Sequence, residues 1–202
     1  MRFQTVLRRG WLLVAIALAA CQPAAQEPTA VPPTSAASEQ PTRTPRPEPE
    51  ATTPPAAITL TSTSFAADAE IPDRYACPDF GGEDLSPALA WGELPAGTQS
   101  LALTMLDPDA GGYIHWLVAN IPPDAAGFDE GQIPTGAVAG WTTNGITGYF
   151  GPCPEATHRY VFTLYALDVA TELEPGFGLI DFRRATSGHV LGEGQLVGLY
   201  TP

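Results

Sequence analysis

The sequence predicts a mainly β domain, a sandwich of antiparallel sheets with a few short helices near its C-terminus. Three observations predict it. Of the 202 residues, 22 are proline and 20 glycine, and both types disfavour helix and strand interiors, which argues against a long helical bundle. Short runs with strand character recur through residues 58–202, separated by glycine and proline clusters. The spread is also uneven, since residues 22–57 hold ten of the prolines and no glycine, whereas residues 58–202 hold nineteen of the twenty glycines.

Taken in chain order, residues 1–21 carry three arginines and no acid, then an apolar run at residues 11–20, then Cys21. Ten apolar residues are too few to span a bilayer core, which needs about 20 in helix. A charged start, a short apolar core and small residues before a cut are the layout of a secretory signal. Its end, Leu18-Ala19-Ala20-Cys21, resembles a bacterial lipobox, which makes Cys21 the expected lipidation site and places the mature chain outside the cytoplasm, held on a membrane. Residues 22–57 are proline, threonine, alanine, serine and acids with almost no bulky apolar side chain. Such a segment buries too little surface to offset its ordering entropy, and it reads as a disordered tether.

Residues 58–202 make one domain of ordinary size. Residues 58–65 alternate apolar and hydroxyl side chains, residues 101–106 are apolar, residues 115–121 read HWLVANI and residues 159–167 read RYVFTLYAL. The last two runs are apolar on both faces and are expected at the centre of a covered sheet. Residues 178–191 alone have a helical spacing, with Leu179, Phe182, Ala185 and Val190 on one side.

The chemistry concentrates at strand ends. Asp107 closes one apolar run and His115 opens the next, so a hairpin between them brings carboxylate and imidazole to the same end of a sheet. His158 and Tyr160 are two apart in a strand and share a face, with Arg159 turned the other way. Two imidazoles, an aspartate and a phenol could form a small anion pocket. The alternative is that each histidine merely satisfies a strand end.

Six blocks, LSPALAW (85–91), LPAGTQSLALTMLDPDA (94–110), HWLVANIP (115–122), GYFGPCP (148–154), HRYVFTLYALD (158–168) and GHVLGEGQLVGLY (188–200), resemble in order and spacing the phosphatidylethanolamine-binding protein family, in its bacterial Raf-kinase-inhibitor-like branch. The resemblance covers nearly all of residues 58–202. It implies two antiparallel sheets with an anion pocket at one end. It maps the ligand-binding positions to Asp107, His115, Gly151, Pro154, His158 and Tyr160. Between the GPCP and HRY blocks only Glu155-Ala156-Thr157 intervenes, shorter than the family's glycine-rich loop and bearing an acid that works against anion binding. The segment from Cys77 to Ser86 is longer than the family's compact form.

With Cys21 assigned to lipid, Cys77 and Cys153 remain. In an exported domain they are expected to form a disulfide; free thiols and a metal site with His158 are the alternatives, the latter matching no compact zinc spacing. No cofactor or metal is expected. The whole chain has nine arginines, no lysine and a net charge of −13, which argues against a nucleic-acid partner. The domain itself carries 18 acids against four arginines, so an anionic ligand must be held by local donors at short range. The expected function is binding of a small phosphate or phospho-headgroup ligand. An envelope protease as partner is the second reading. A hydrolase is the third, and it lacks a serine beside either histidine or a G-x-S-x-G elbow.

Overall fold

The computed structural model describes residues 54–202. The expected signal segment, Cys21 and the tether up to residue 53 lie outside the described residues. Among the described residues nine strands form two sheets. The larger is six-stranded and contains β1 (Ala56–Ala57), β4 (Ser100–Asp107), β5 (Tyr113–Ile121), β7 (Val138–Ala139), β8 (His158–Leu167) and β9 (Val190–Tyr200), in the order β1-β9-β8-β4-β5-β7. The smaller contains β2 (Leu60–Thr61), β3 (Leu89–Trp91) and β6 (Gly127–Phe128), in the order β2-β3-β6. All pairings are antiparallel except that of β1 with β9. The large sheet therefore begins at Ala56, two residues ahead of the boundary drawn from composition, because two alanines in a proline-rich run carry no strand signal.

The apolar-on-both-faces pattern of β4, β5 and β8 has a structural counterpart, since the large sheet is covered twice. One face carries Leu101, Leu103 and Met105 of β4, Trp116 and Val118 of β5, and Phe162 and Leu164 of β8, packed against Leu60, Leu89 and Phe128 of the small sheet. The other carries Ala102, Leu117 and Ala119, covered by Phe177 and by Phe182 of α1 (Leu179–Thr186). Burying one aromatic or aliphatic side chain contributes about 1.5–3 kcal/mol, so the fold is specified mainly along these three strands. Two short 3-10 turns, Asp73–Tyr75 and Pro78–Phe80, lie in the N-terminal half, and α1 is the single α-helix among the described residues.

Two expectations change. The helical stripe read over residues 178–191 stops at Thr186, which is the next buried residue after Phe182, while Gly188 adopts φ 81° and Val190 starts β9. The strand run at residues 58–65 pairs only at Leu60–Thr61, although Ile58, Leu60 and Phe65 are buried as the alternation implies. β9 was masked by glycine. On its core-facing positions a Cβ at Gly194 would lie 2.4 Å from the Ile58 carbonyl oxygen, and one at Gly198 would lie 2.6 Å from the Ile71 side chain. The N-terminal segment crosses so close to β9 that these positions exclude a side chain, which removes the apolar alternation a strand ordinarily shows.

Candidate functional site

The β4–β5 hairpin places its ends as the spacing predicts. Asp107 pairs with Tyr113, and the Gly112 N–H donates to the Asp107 carbonyl at 2.9 Å, so the turn occupies residues 108–112. A register shift opposite Met105 and Leu106 forms a bulge at His115. That bulge lets His115 and Trp116 face the same side, His115 at the sheet end and Trp116 in the core, a common use of bulges beside sites. On β8, His158 and Tyr160 continue the face that carries Phe162 and Leu164. The core face thus runs beyond the cover of the small sheet and is closed there by residues 150–156. The result is a cavity of about 600 Å³.

Asp107, His115, Pro154, His158 and Tyr160 all line this cavity. Asp107 is 2% exposed and uses both oxygens. Its Oδ1 accepts the backbone N–H groups of Asp109 at 2.8 Å and Ala110 at 2.9 Å, and its Oδ2 faces His158 Nδ1 at 2.7 Å. A carboxylate accepts, so His158 carries its hydrogen on Nδ1 and Nε2 is the nitrogen left for a ligand. His115 Nδ1 lies 2.8 Å from the Phe150 carbonyl, which likewise fixes the hydrogen on Nδ1 and makes Nε2 of the neutral ring an acceptor. Burial is the largest influence on His115 and lowers its pKa, outweighing the Phe150 carbonyl and the Asp107 charge that raise it. His115 therefore faces the cavity as a neutral acceptor at pH 7.

The Tyr160 hydroxyl is buried with no hydrogen-bond partner among the described residues. Burial first, and the Asp107 charge second, raise its pKa well above the ordinary phenol range, so it remains a donor. Tyr113, His115 and Phe150 form an aromatic wall, with ring centroids 4.8 Å apart for Tyr113–His115, 5.8 Å for the stacked His115–Phe150 pair and 6.4 Å for Tyr113–Phe150. Tyr113 and Phe150 were not singled out in the sequence. Tyr113 sits two residues before His115, so the period-two rule that linked His158 to Tyr160 would have found it; Phe150 comes from a loop with no periodic signal.

Gly151 is placed differently from the other candidates. It does not line the cavity, and its N–H donates to Asp84 Oδ1 at 2.9 Å. A Cβ there would lie 2.4 Å from the Tyr75 carbonyl oxygen, so glycine lets the wall pack against the segment behind it. That segment is joined to the wall by the Cys77–Cys153 disulfide, with Cα atoms 5.5 Å apart, and by the Cys77 N–H donating to the Pro152 carbonyl at 3.0 Å. The bridge uses both sulfurs that the alternative metal site with His158 would have needed. Outside the cavity Arg159 grips Asp109 with Nε at 3.0 Å and a terminal nitrogen at 2.7 Å, and these hydrogen bonds lower the Asp109 pKa to about 2.

Comparison with known proteins agrees with the fold. The family model described as Phosphatidylethanolamine-binding protein matches residues 61–201. A UPF0098 protein of Methanothermobacter thermautotrophicus is 45% identical over 151 residues, covering 71% of this chain and 98% of that protein. LppC of Mycobacterium tuberculosis, named as a candidate lipoprotein, is 42% identical over 159 residues, covering 75% of this chain and 77% of its own. Among solved structures, a phosphatidylethanolamine-binding protein homologue from Chlamydia trachomatis has a TM-score of 0.67 at 38% identity, covering 72% of this chain and 98% of that one. Escherichia coli YbcL, described as a new member of the mammalian family, has a TM-score of 0.68 at 26% identity, covering 73% and 99%.

Proposed function

The chain belongs to the phosphatidylethanolamine-binding protein family, and on that premise we propose that it is a lipid-anchored, extracytoplasmic binding protein that takes a small phosphate or phospho-headgroup ligand into the cavity at the end of the large sheet. The observation that carries this reading is the pairing of an unpartnered buried Tyr160 hydroxyl with a His158 ring held by Asp107, both lining one cavity. A buried donor with no partner costs about 1–3 kcal/mol, which a ligand oxygen would recover. Protonated on both nitrogens, His158 would donate one hydrogen to Asp107 and the other to the ligand, while neutral His115 would accept the acidic hydrogen of a singly ionised phosphate.

Binding without turnover is favoured by the lining, which among the described residues holds no serine or threonine and one cysteine, itself in the disulfide. Anchoring through Cys21 is supported by the leader sequence and by the name of the LppC relative. No helix among the described residues is long and apolar enough to cross a membrane.

Calorimetric titration of the soluble chain starting at Gln22 with phosphate and phosphoethanolamine tests the reading. Saturable binding is expected, weakened about 10- to 100-fold by His158→Ala, the loss of one charged hydrogen bond. Affinity unchanged by His158→Ala and Tyr160→Phe would overturn it. Stoichiometric inhibition of an envelope protease that survives both changes would replace it with the protein-interaction role.

A further inference from the structure

An acid stands on the wall of the cavity read as a phosphate site. Glu155 lines it from the exposed segment between Pro154 and His158, and among the described residues neither lysine nor arginine lines it. The neighbouring cation Arg159 is engaged by both oxygens of Asp109 at 2.7 and 3.0 Å. A ligand presenting only negative charge therefore meets the carboxylates of Asp107 and Glu155, with the His158 ring and the Tyr160 hydroxyl as the donors that offset them. The Asp107 carboxylate is fully used by His158 and two backbone N–H groups. No described hydrogen bond or ion pair engages the Glu155 carboxylate.

The rest of the cavity suits a cation beside that free carboxylate. The rings of Tyr113, His115 and Phe150 form one aromatic wall, and the electron-rich faces of such rings attract ammonium groups. A volume of about 600 Å³ lies in the range of sites for whole small molecules rather than single oxyanions.

We propose, building on the reading of this cavity as a phospho-headgroup site, that Glu155 is its specificity-determining residue, which receives a cationic nitrogen of the ligand and weakens the binding of ligands that carry only negative charge. The two halves of the site have separate origins. His158 and Tyr160 on β8 meet the anionic end, and the loop between Pro154 and His158 supplies the acid for the cationic end.

The test titrates the soluble chain and its Glu155→Gln and Glu155→Asp variants with phosphoethanolamine, its N-acetyl derivative and inorganic phosphate. Acetylation removes the positive charge and leaves the phosphate in place. The wild type is expected to prefer phosphoethanolamine over the acetylated form by about fivefold, the scale of a partly exposed ion pair. In Glu155→Gln that preference falls severalfold and inorganic phosphate binds about threefold more tightly, whereas Glu155→Asp keeps the wild-type preference. A preference unaltered by Glu155→Gln overturns the role of Glu155 while leaving the headgroup reading intact. Binding of none of the three ligands by the wild type overturns both.

Discussion

Replacing Cys77 and Cys153 together with serine is expected to destabilise the domain by about 4.5 kcal/mol. The bridge spans a sequence separation of 76, and closing a loop of that size removes denatured-chain entropy worth about 4.5 kcal/mol at 25 °C on the chain-entropy model. At about 2–4 °C per kcal/mol for a domain of this size, the melting midpoint should fall by roughly 9–18 °C. Ligand affinity should fall as well, for a local reason. Among the described residues, residues 153–157 make no backbone–backbone hydrogen bond, so between the disulfide and His158 the wall is tied only by the exposed Thr157–Thr201 hydroxyl contact at 3.0 Å. Re-ordering even one backbone residue on binding costs about 1–2 kcal/mol, which predicts affinity for phosphoethanolamine weaker by about five- to thirtyfold. Urea unfolding and calorimetry on the oxidised protein and the double variant measure both effects. A loss below about 1 kcal/mol with unchanged affinity would refute the reasoning, because the wall would then be held by its packing alone.

Stability should decline in mild acid, and His115 should contribute to the decline. Its folded pKa is depressed by burial, so below the unfolded value of about 6.5 the unfolded chain takes up a proton that the native ring refuses, and stability is lost as pH falls from there through the folded pKa. His115→Gln should show a flatter loss between pH 7 and 5 in urea titrations; a slope as steep as wild type contradicts this assignment, since His158 and His189 are present in both proteins. Gly194→Ala, whose Cβ would meet the Ile58 carbonyl oxygen at 2.4 Å, should cost at least about 1–3 kcal/mol. Gly92→Ala, with its nearest contact at 3.5 Å, should change the melting midpoint far less.

What the sequence made legible follows the physics of each element. β4, β5 and β8 stand out because both faces of the large sheet are covered, which forces continuous apolar runs. Asp107, His115, His158 and Tyr160 were placed correctly at one sheet end because hairpin closure and the two-residue period are local rules. β9 was illegible because its glycines answer to a segment more than 120 residues away, with Gly194 against Ile58 and Gly198 against Ile71. Gly151 resembled a ligand-binding position through the block it belongs to, yet its glycine is required by the Tyr75 carbonyl behind it. Phe150 and the tautomer of His115 depend on one loop hydrogen bond, Nδ1 to the Phe150 carbonyl, for which no residue pattern stands as a signal.

The histidines themselves supply the most direct measurement. His158 pairs with Asp107 at 2.7 Å inside the cavity, and His189 pairs with Asp168 at 2.8 Å outside it. Asp168 lies ten residues along the chain from His158, just past the far end of β8, so the two pairs are roughly 30 Å apart. Ring resonances of both histidines followed by NMR during titration with phosphoethanolamine compare a pocket imidazole with an equivalent surface pair in one sample. Saturable shifts at His158 and His115 with His189 unmoved are the predicted result. Equal shifts at His158 and His189, or none at His158, would contradict a phospho-headgroup site in this cavity.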